Sequence, residues 1–476
     1  MNTRLAVIGA GPGGYVAAFH AADLGMQVTL VDADPNPGGV CTFRGCIPSK
    51  ALLHTARVLD EAKHATVYGM SFDNLSIDVD KLRAWKDQVI KKQTGGLGLL
   101  AKSRKVTYIQ GRASFVNAKT LSVETAGGEQ RVEADYVIVA TGSRPTTVRN
   151  VSIDSPKVLD STTALELPDV PNRLLVVGGG YIGLELGTVY AALGSKVTVV
   201  EMTDGLLPGA DRDLAAIVAR RIETYAEAIL LETKVTSVKD DGKGLAVSLE
   251  GKNAPSAAQV FDRVLVAVGR RPNSAIAGLD TTRAKVNQRG FIEVDAQRRT
   301  AEPSIFAIGD VAGDPMLAHK ASHEARVAVE AIHGKSSIFE PRAIPAVVFT
   351  DPELAWTGLT ETDAKKQNIP IAIAKYPWAA SGRATTLDRP DGLTKLIIDP
   401  ETERVLGVGI VGVGAGELIS EGTLAIEMGA LASDLKLTIH PHPTLSETVM
   451  EAADVFFGES AHVYKPKRPS LTGMRD

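Results

Sequence analysis

Two residues, Cys41 and Cys46, are the whole thiol complement of this chain. In 476 residues they cannot form a structural disulfide framework, a four-cysteine zinc site or an iron-sulfur cluster. Two close sulfurs can, however, exchange a disulfide for a dithiol. An ideal helix advances about 7.5 Å over the five residues between them, beyond the comfortable Cα separation of a disulfide. A bond therefore requires a break in the backbone, and Gly45 before Cys46 and Pro48 after it permit or enforce one. The bland reading is two unrelated buried thiols; the short spacing and the isolation of the pair weigh against it.

The elements that must position the pair show an internal echo. Val7-Ile8-Gly9-Ala10-Gly11-Pro12-Gly13-Gly14 and Val176-Val177-Gly178-Gly179-Gly180-Tyr181-Ile182-Gly183 each read as a strand, a glycine turn and a helix. Gly9 and Gly178 allow the tight turn, Gly11 and Gly180 let a pyrophosphate approach the backbone, and Gly14 and Gly183 let helix and strand pack closely. The helix N-terminus offers partial positive charge and free N–H groups to phosphates, and Pro12 suits a first helical turn. Each copy ends in an acid 23 residues beyond its first glycine, Asp32 or Glu201, placed to accept from ribose hydroxyls. A single glycine pattern is weak evidence of a dinucleotide site; two at one spacing are much stronger.

Glu201 would repel a ribose 2'-phosphate, and residues 202–210 contain no arginine or lysine to neutralise one, which favours NAD over NADP. The cysteines follow directly behind Asp32. A nicotinamide delivers a hydride, whereas a disulfide is reduced through thiolates. A flavin can accept two electrons from one and hand them to the other.

Further buried strands end in glycine at Val137 to Gly142, Val264 to Gly269 and Ile305 to Gly309. Beyond Ile344-Pro345 the pattern changes to a strand near 346–349, a hairpin of 393–398 with 405–411, and a helix from about 416 to 431. The expected fold class is α/β, two Rossmann-like dinucleotide-binding domains followed by a separate C-terminal α+β domain, which the resemblance given below implies to be a dimerisation domain. A composition of 44% hydrophobic and 23% charged residues with a net charge of -4 offers no broad basic surface for nucleic acid. No run of about 18 apolar residues reads as a membrane span, and the first strand begins too early for a signal peptide, so a cytoplasmic protein is expected. No metal site is expected, and Lys465-Pro466-Lys467-Arg468-Pro469 is assigned no chemistry.

The run Gly39-Val40-Cys41-Thr42-Phe43-Arg44-Gly45-Cys46-Ile47-Pro48-Ser49-Lys50 resembles the active-site segment of dihydrolipoamide dehydrogenases. So do 178–187 with Glu185, 305–310, Met316-Leu317-Ala318-His319, Val348-Phe349-Thr350-Asp351-Pro352-Glu353 and His440-Pro441-His442-Pro443-Thr444-Leu445-Ser446-Glu447, so that the likeness covers nearly the whole chain. One departure is Thr42-Phe43-Arg44, where the family usually has Leu-Asn-Val.

The resemblance implies FAD in the first fold, Cys46 facing the flavin and Cys41 exchanging with dihydrolipoamide. It pairs Lys50 with Glu185 near flavin N5, where a cation stabilises negative charge on the reduced ring. His442 is the implied acid–base, held by Glu447; His440 is expected to be structural or solvent-exposed. Implied FAD contacts are Gly9, Gly11, Gly14, Asp32, Gly39 and Lys50, then Ala113, Thr141, Gly142, Asp310, Met316, Ala318 and His319. For NAD they are Gly178, Gly180, Gly183, Glu201, Val235 and Gly269. The division implied is 1–145 for the FAD-binding domain, 146–270 for the NAD-binding domain, 271–342 completing the FAD domain, and 343–476 for dimerisation with a tail.

Implied partners are a second copy lending its histidine to each cysteine pair, a lipoyl-bearing protein or free dihydrolipoamide, and the peripheral-subunit docking domain of a 2-oxo acid dehydrogenase complex. Glutathione reductase is the nearest rival, but it would need NADPH and basic residues after Glu201. Mercuric reductase would need a further cysteine pair, and soluble transhydrogenases of this fold lack the redox cysteines. A non-catalytic flavoprotein docking subunit is the alternative from another class, separated by a lipoamide-dependent NADH assay.

Overall fold

A computed structural model describes residues 3–72 and 75–464; the basic stretch Lys465 to Pro469 lies outside them. The strand Arg4–Ile8 is apolar along its buried length because both faces of its parallel sheet are covered, Leu5 and Val7 facing helices and Ala6 and Ile8 facing the residues Phe115, Leu121, Val123 and Val132. Its five strands run in the order Ile305–Ala307, Tyr136–Val139, Arg4–Ile8, Gln27–Asp32, Thr107–Gln110. The second parallel sheet repeats this plan as Val158–Leu159, Arg263–Val266, Arg173–Val177, Lys196–Val200, Ala228–Leu230.

The echo reaches further than the glycine turns. Each sheet takes a three-stranded antiparallel insert between its outermost strand and the strand that returns beside the first: Arg112–Asn117, Thr120–Thr125 and Gly128–Glu133 in one, Thr233–Asp240, Leu245–Gly251 and Gln259–Phe261 in the other. The segments linking the two halves, Ser143–Pro145 and Arg270–Pro272, pair antiparallel. The strand Ile305–Ala307 lies beside Tyr136–Val139, so the chain returns to its first sheet after building the second.

The C-terminal part is an antiparallel five-stranded sheet ordered Ala346–Val348, Glu353–Gly358, Val405–Gly412, Leu393–Ile398, Ala372–Pro377. The helices Ala415–Met428 and Glu447–Phe457 pack on it around Trp378, Leu396, Ile410 and Val449. The first of them stops short of 431 because Gly429 takes a left-handed cap, φ 67°. The expected strand near 346–349 ends one residue early, at Val348.

One apolar cluster joins all three parts. Leu52 from the helix Cys46–His64, Leu184 from Tyr181–Leu193, Leu214 from Arg212–Glu223, and Val348, Leu354 and Val411 from the C-terminal sheet are all buried in it. The helix that opens with Cys46 is thereby seated on a core shared by both dinucleotide folds and the C-terminal sheet.

Candidate active site

The backbone break that the cysteine spacing requires is present. A short helix Gly39–Arg44 carries Cys41, Gly45 turns the chain at φ -145°, ψ -113°, and the helix Cys46–His64 starts at once. A Cβ on Gly45 would lie 2.9 Å from the Val40 carbonyl oxygen and 3.2 Å from the Cys41 Cα, so the turn closes too tightly for a side chain. Both thiols are free here and act on one another. The Cys41 thiol, helped by the Lys50 ammonium, brings the Cys46 thiol down to about 7, while Cys46 and burial push Cys41 up. Cys46 also occupies a helix N-terminus, where a thiolate is favoured.

Cys41 and Cys46 open on a cavity of about 1240 Å³, above the roughly 300–1,000 Å³ of a drug-sized site. Gly9, Gly11, Asp32, Gly39 and Lys50 line it from the first third of the chain. Ala113, Thr141, Gly142, Asp310, Met316 and Ala318 line it as well. His319 does not; its Nε2 lies 2.8 Å from the Pro345 carbonyl oxygen.

The glycines divide by what a side chain would meet. At Gly9, φ 97°, a Cβ would lie 2.4 Å from the Ala140 oxygen, and at Gly14 1.8 Å from the Gly9 oxygen. At Gly11 it would meet nothing within 4 Å and would project into space left at the helix N-terminus. The second fold repeats the pattern: 2.5 Å from the Ala267 oxygen at Gly178, 2.4 Å from the Gly178 oxygen at Gly183, nothing at Gly180. An open backbone cradle at a helix N-terminus, beside an acid, fits a dinucleotide pyrophosphate and ribose in both folds.

The acids are held alike. Asp32 accepts from the Ala10 N–H at 2.5 Å and the Asp34 N–H at 2.9 Å; Glu201 accepts from the Gly179 N–H at 2.7 Å and the Thr203 N–H at 2.8 Å. Burial raises Asp32 against those donors. Gly178, Gly180, Gly183, Glu201, Val235 and Gly269 all lie outside the large cavity. Val235 packs on the cluster containing Val200, and Gly269 is exposed with open space where a Cβ would stand. Arg212, the first arginine after Glu201, is committed to the carbonyls of Leu206 and Ala210 and is not offered to a 2'-phosphate.

The ion pair of Lys50 with Glu185 is formed, Nζ to Oε2 2.8 Å, with Glu185 3% exposed. His442 Nδ1 lies 2.9 Å from Glu447 Oε1, and the Thr444 N–H donates to Glu447 Oε2 at 2.7 Å. Those two bonds outweigh partial burial and hold the Glu447 carboxyl below its ordinary value. Neither His442 nor Glu447 lines the cavity. His440 is the structural one of the two histidines, its side chain buried and bonded to Glu421 at 2.8 Å.

Among the cavity residues not picked out from the sequence are Ser143, Arg270 and Tyr181. Ser143 Oγ donates to Asp310 Oδ2 at 2.5 Å and accepts from Arg270 Nε at 2.7 Å; Tyr181, 40% exposed, lines the cavity where the second fold adjoins it. Only their places beside Gly142, Gly269 and Gly180 could have flagged them. Arg44, the departure between the cysteines, is tied to Asp34 at 2.6 Å. Among the described residues the one grouping of acids close enough to hold a metal is Asp211, Asp213 and Glu361, and the Lys395 ammonium fills it at 2.6–2.8 Å.

Two dinucleotide cradles, a free dithiol on the cavity of one of them and a separate C-terminal sheet define a dithiol oxidoreductase of the two-nucleotide type. The chain belongs to the pyridine nucleotide-disulphide oxidoreductase family, which it matches over residues 3–325, with the family's dimerisation domain over 344–453. It is 50% identical over 458 residues to a dihydrolipoyl dehydrogenase of Vibrio cholerae, covering 96% of each chain. To the protein of the same name from Geobacillus stearothermophilus it is 45% identical, covering 97% of this chain and 98% of that one. LpdA from Mycobacterium tuberculosis has the same fold at a TM-score of 0.88, with 27% identity over 95% of this chain and 99% of that one. No described helix is long and apolar enough to cross a membrane.

Proposed function

We propose that the chain oxidises dihydrolipoamide to lipoamide and reduces NAD+ to NADH, with FAD in the large cavity and NAD on the second fold. The observation that carries this reading is the dithiol itself, opening on the same cavity as Lys50 and the Gly11 cradle. Gly11, Asp32 and Lys50 would help hold FAD, whose chemistry there would be two-electron transfer between the reduced cysteine pair and NAD+.

The chain's own residues supply the rest. A thiolate of the substrate attacks the Cys41 sulfur of the oxidised pair, releasing Cys46 as thiolate; the second substrate thiol then displaces Cys41, and lipoamide leaves. Cys46 is the better leaving sulfur because Lys50 and the helix N-terminus stabilise its charge. His442 of a second copy accepts the proton from the attacking thiol, and Glu447 fixes its tautomer. Lys50, anchored by Glu185, holds positive charge beside the ring site.

The division at 145/146, 270/271 and 342/343, the residue roles above, a cytoplasmic location and docking on the peripheral-subunit domain of a 2-oxo acid dehydrogenase complex belong to the same proposal. The 50% identity to a dihydrolipoyl dehydrogenase supports them. The test is steady-state oxidation of dihydrolipoamide by the purified yellow protein with NAD+ or NADP+. Turnover with NAD+ and little with NADP+ is expected; glutathione disulfide reduction by NADPH without lipoamide activity would contradict it.

A further inference from the structure

Both oxygens of Glu185 are engaged. Oε2 accepts from Lys50 Nζ at 2.8 Å and from Ser49 Oγ at 3.0 Å, and Oε1 accepts from the main-chain N–H of Phe349 at 3.0 Å. The ring of the same Phe349 faces the Lys50 ammonium, 4.3 Å from Nζ to centroid. One residue thus touches both members of the ion pair, the carboxylate through its backbone and the ammonium through its ring.

Phe349 comes from neither dinucleotide sheet. It follows the strand Ala346–Val348 within the stretch matched to the dimerisation domain. Its flanks are tied down, Pro345 by His319 at 2.8 Å and Asp351 by Arg389 at 2.7 Å, so the ring is presented from a fixed backbone. A lysine ammonium on four rotatable bonds, held by a carboxylate alone, can swing; an aromatic face on its other side attracts the cation and confines it.

We propose that Phe349 is a positioning residue of the redox site, holding the Lys50 ammonium between its ring and Glu185 and so fixing the positive charge beside the cysteine pair and the flavin cavity. The part concerning the flavin rests on the function proposed above; the part concerning the thiols does not. Lys50 is one of the groups that stabilise the Cys46 thiolate, and the other titratable groups facing the pair are Cys41, Glu185, Tyr15 and Tyr181.

The test is a double-mutant cycle on the flavin-loaded protein with Phe349→Leu, Phe349→Tyr and Lys50→Met. It reads the pH midpoint for the first iodoacetamide alkylation of the reduced pair and the midpoint potential of the bound flavin. Phe349→Leu should raise the alkylation midpoint, slowing alkylation at pH 7 by about two- to five-fold, and make the flavin harder to reduce. Phe349→Tyr, which keeps the aromatic face, should restore both values. In the Lys50→Met background the leucine change should have no further effect. An unchanged midpoint in Phe349→Leu, or an equal effect with and without Lys50, would overturn the proposal; Phe349→Met replaces the leucine variant if that fails to accumulate. A protein that binds no flavin would sink the proposed function, yet the alkylation cycle would still decide the role of Phe349.

Discussion

His442 Nδ1 lies 2.9 Å from Glu447 Oε1 with the imidazole side chain 77% exposed, on a part of the chain that contributes nothing to the cavity lined by Cys41 and Cys46. An acid–base pair assembled on the surface of the dimerisation domain serves the thiols only if a second copy brings it there. Mixed dimers test this. A His442→Gln chain and a Cys41→Ser chain should each be nearly inactive as homodimers. Their heterodimer keeps one intact site if the histidine acts across the interface and none if it acts within its own chain. Recovery of roughly one site's activity on co-expression with two affinity tags is expected.

The glycine turns predict opposite outcomes for substitutions two residues apart. Gly11→Ala meets no protein atom and should fold while losing FAD, since the new methyl occupies the cradle. Gly9→Ala drives a Cβ into the Ala140 carbonyl at a positive φ and should cost at least about 2 kcal/mol of stability. Gly180→Ala should stay yellow and lose NADH affinity. Flavin content, thermal melts and NADH titration separate the three.

The first proton of the thiol pair should leave well below the value of an ordinary cysteine. Because Cys46 is brought down to about 7 by the Cys41 thiol and Lys50, alkylation of the reduced protein should rise through neutral pH. Removing the cation destabilises the thiolate, so Lys50→Met should move that rise to higher pH. An alkylation profile unchanged in Lys50→Met would show that the ammonium does not act on the pair.

Lys395 is a buried charge with a structural task. Its side chain is 0% exposed and reaches Asp211 and Asp213, at the start of the helix Arg212–Glu223, and Glu361 beyond the C-terminal strand Glu353–Gly358. Lys395→Met leaves those acids facing one another and should lower stability by about 3 kcal/mol. Bonds from Lys375 and Lys395 outweigh burial and depress Asp213, so its contribution is present above the ordinary aspartate value and is lost as pH falls through the folded one. Those bonds in turn raise Lys395 despite its burial, a contribution lost only as pH rises through its folded value. Melts across pH should show the parent losing more stability on acidification than Lys395→Met.

What could be read in the chain is what lies close together in it. The strand, glycine and helix of each fold, the acid at fixed spacing and the break at Gly45 are local, and each is dictated by steric facts about a few neighbouring residues. The partnership of Lys50 with Glu185 came only through the family likeness, and the N–H of Phe349 completing it lies 164 residues from Glu185. Ser143 with Asp310, and Lys395 with its three acids, are equally nonlocal. No periodicity announces such contacts, because they depend on how finished elements dock. The C-terminal helix was read too long for the opposite reason: apolar residues continue past Met428, but Gly429 ends it by its backbone alone.

In the proposed reaction, electrons from the substrate reach the flavin only through the cysteine pair. Anaerobic stopped-flow reduction of the Cys46→Ser protein measures this directly, with the flavin absorbance followed after mixing with dihydrolipoamide or with NADH. NADH is expected still to bleach the flavin, while dihydrolipoamide no longer does. Bleaching by dihydrolipoamide at the parental rate would contradict it.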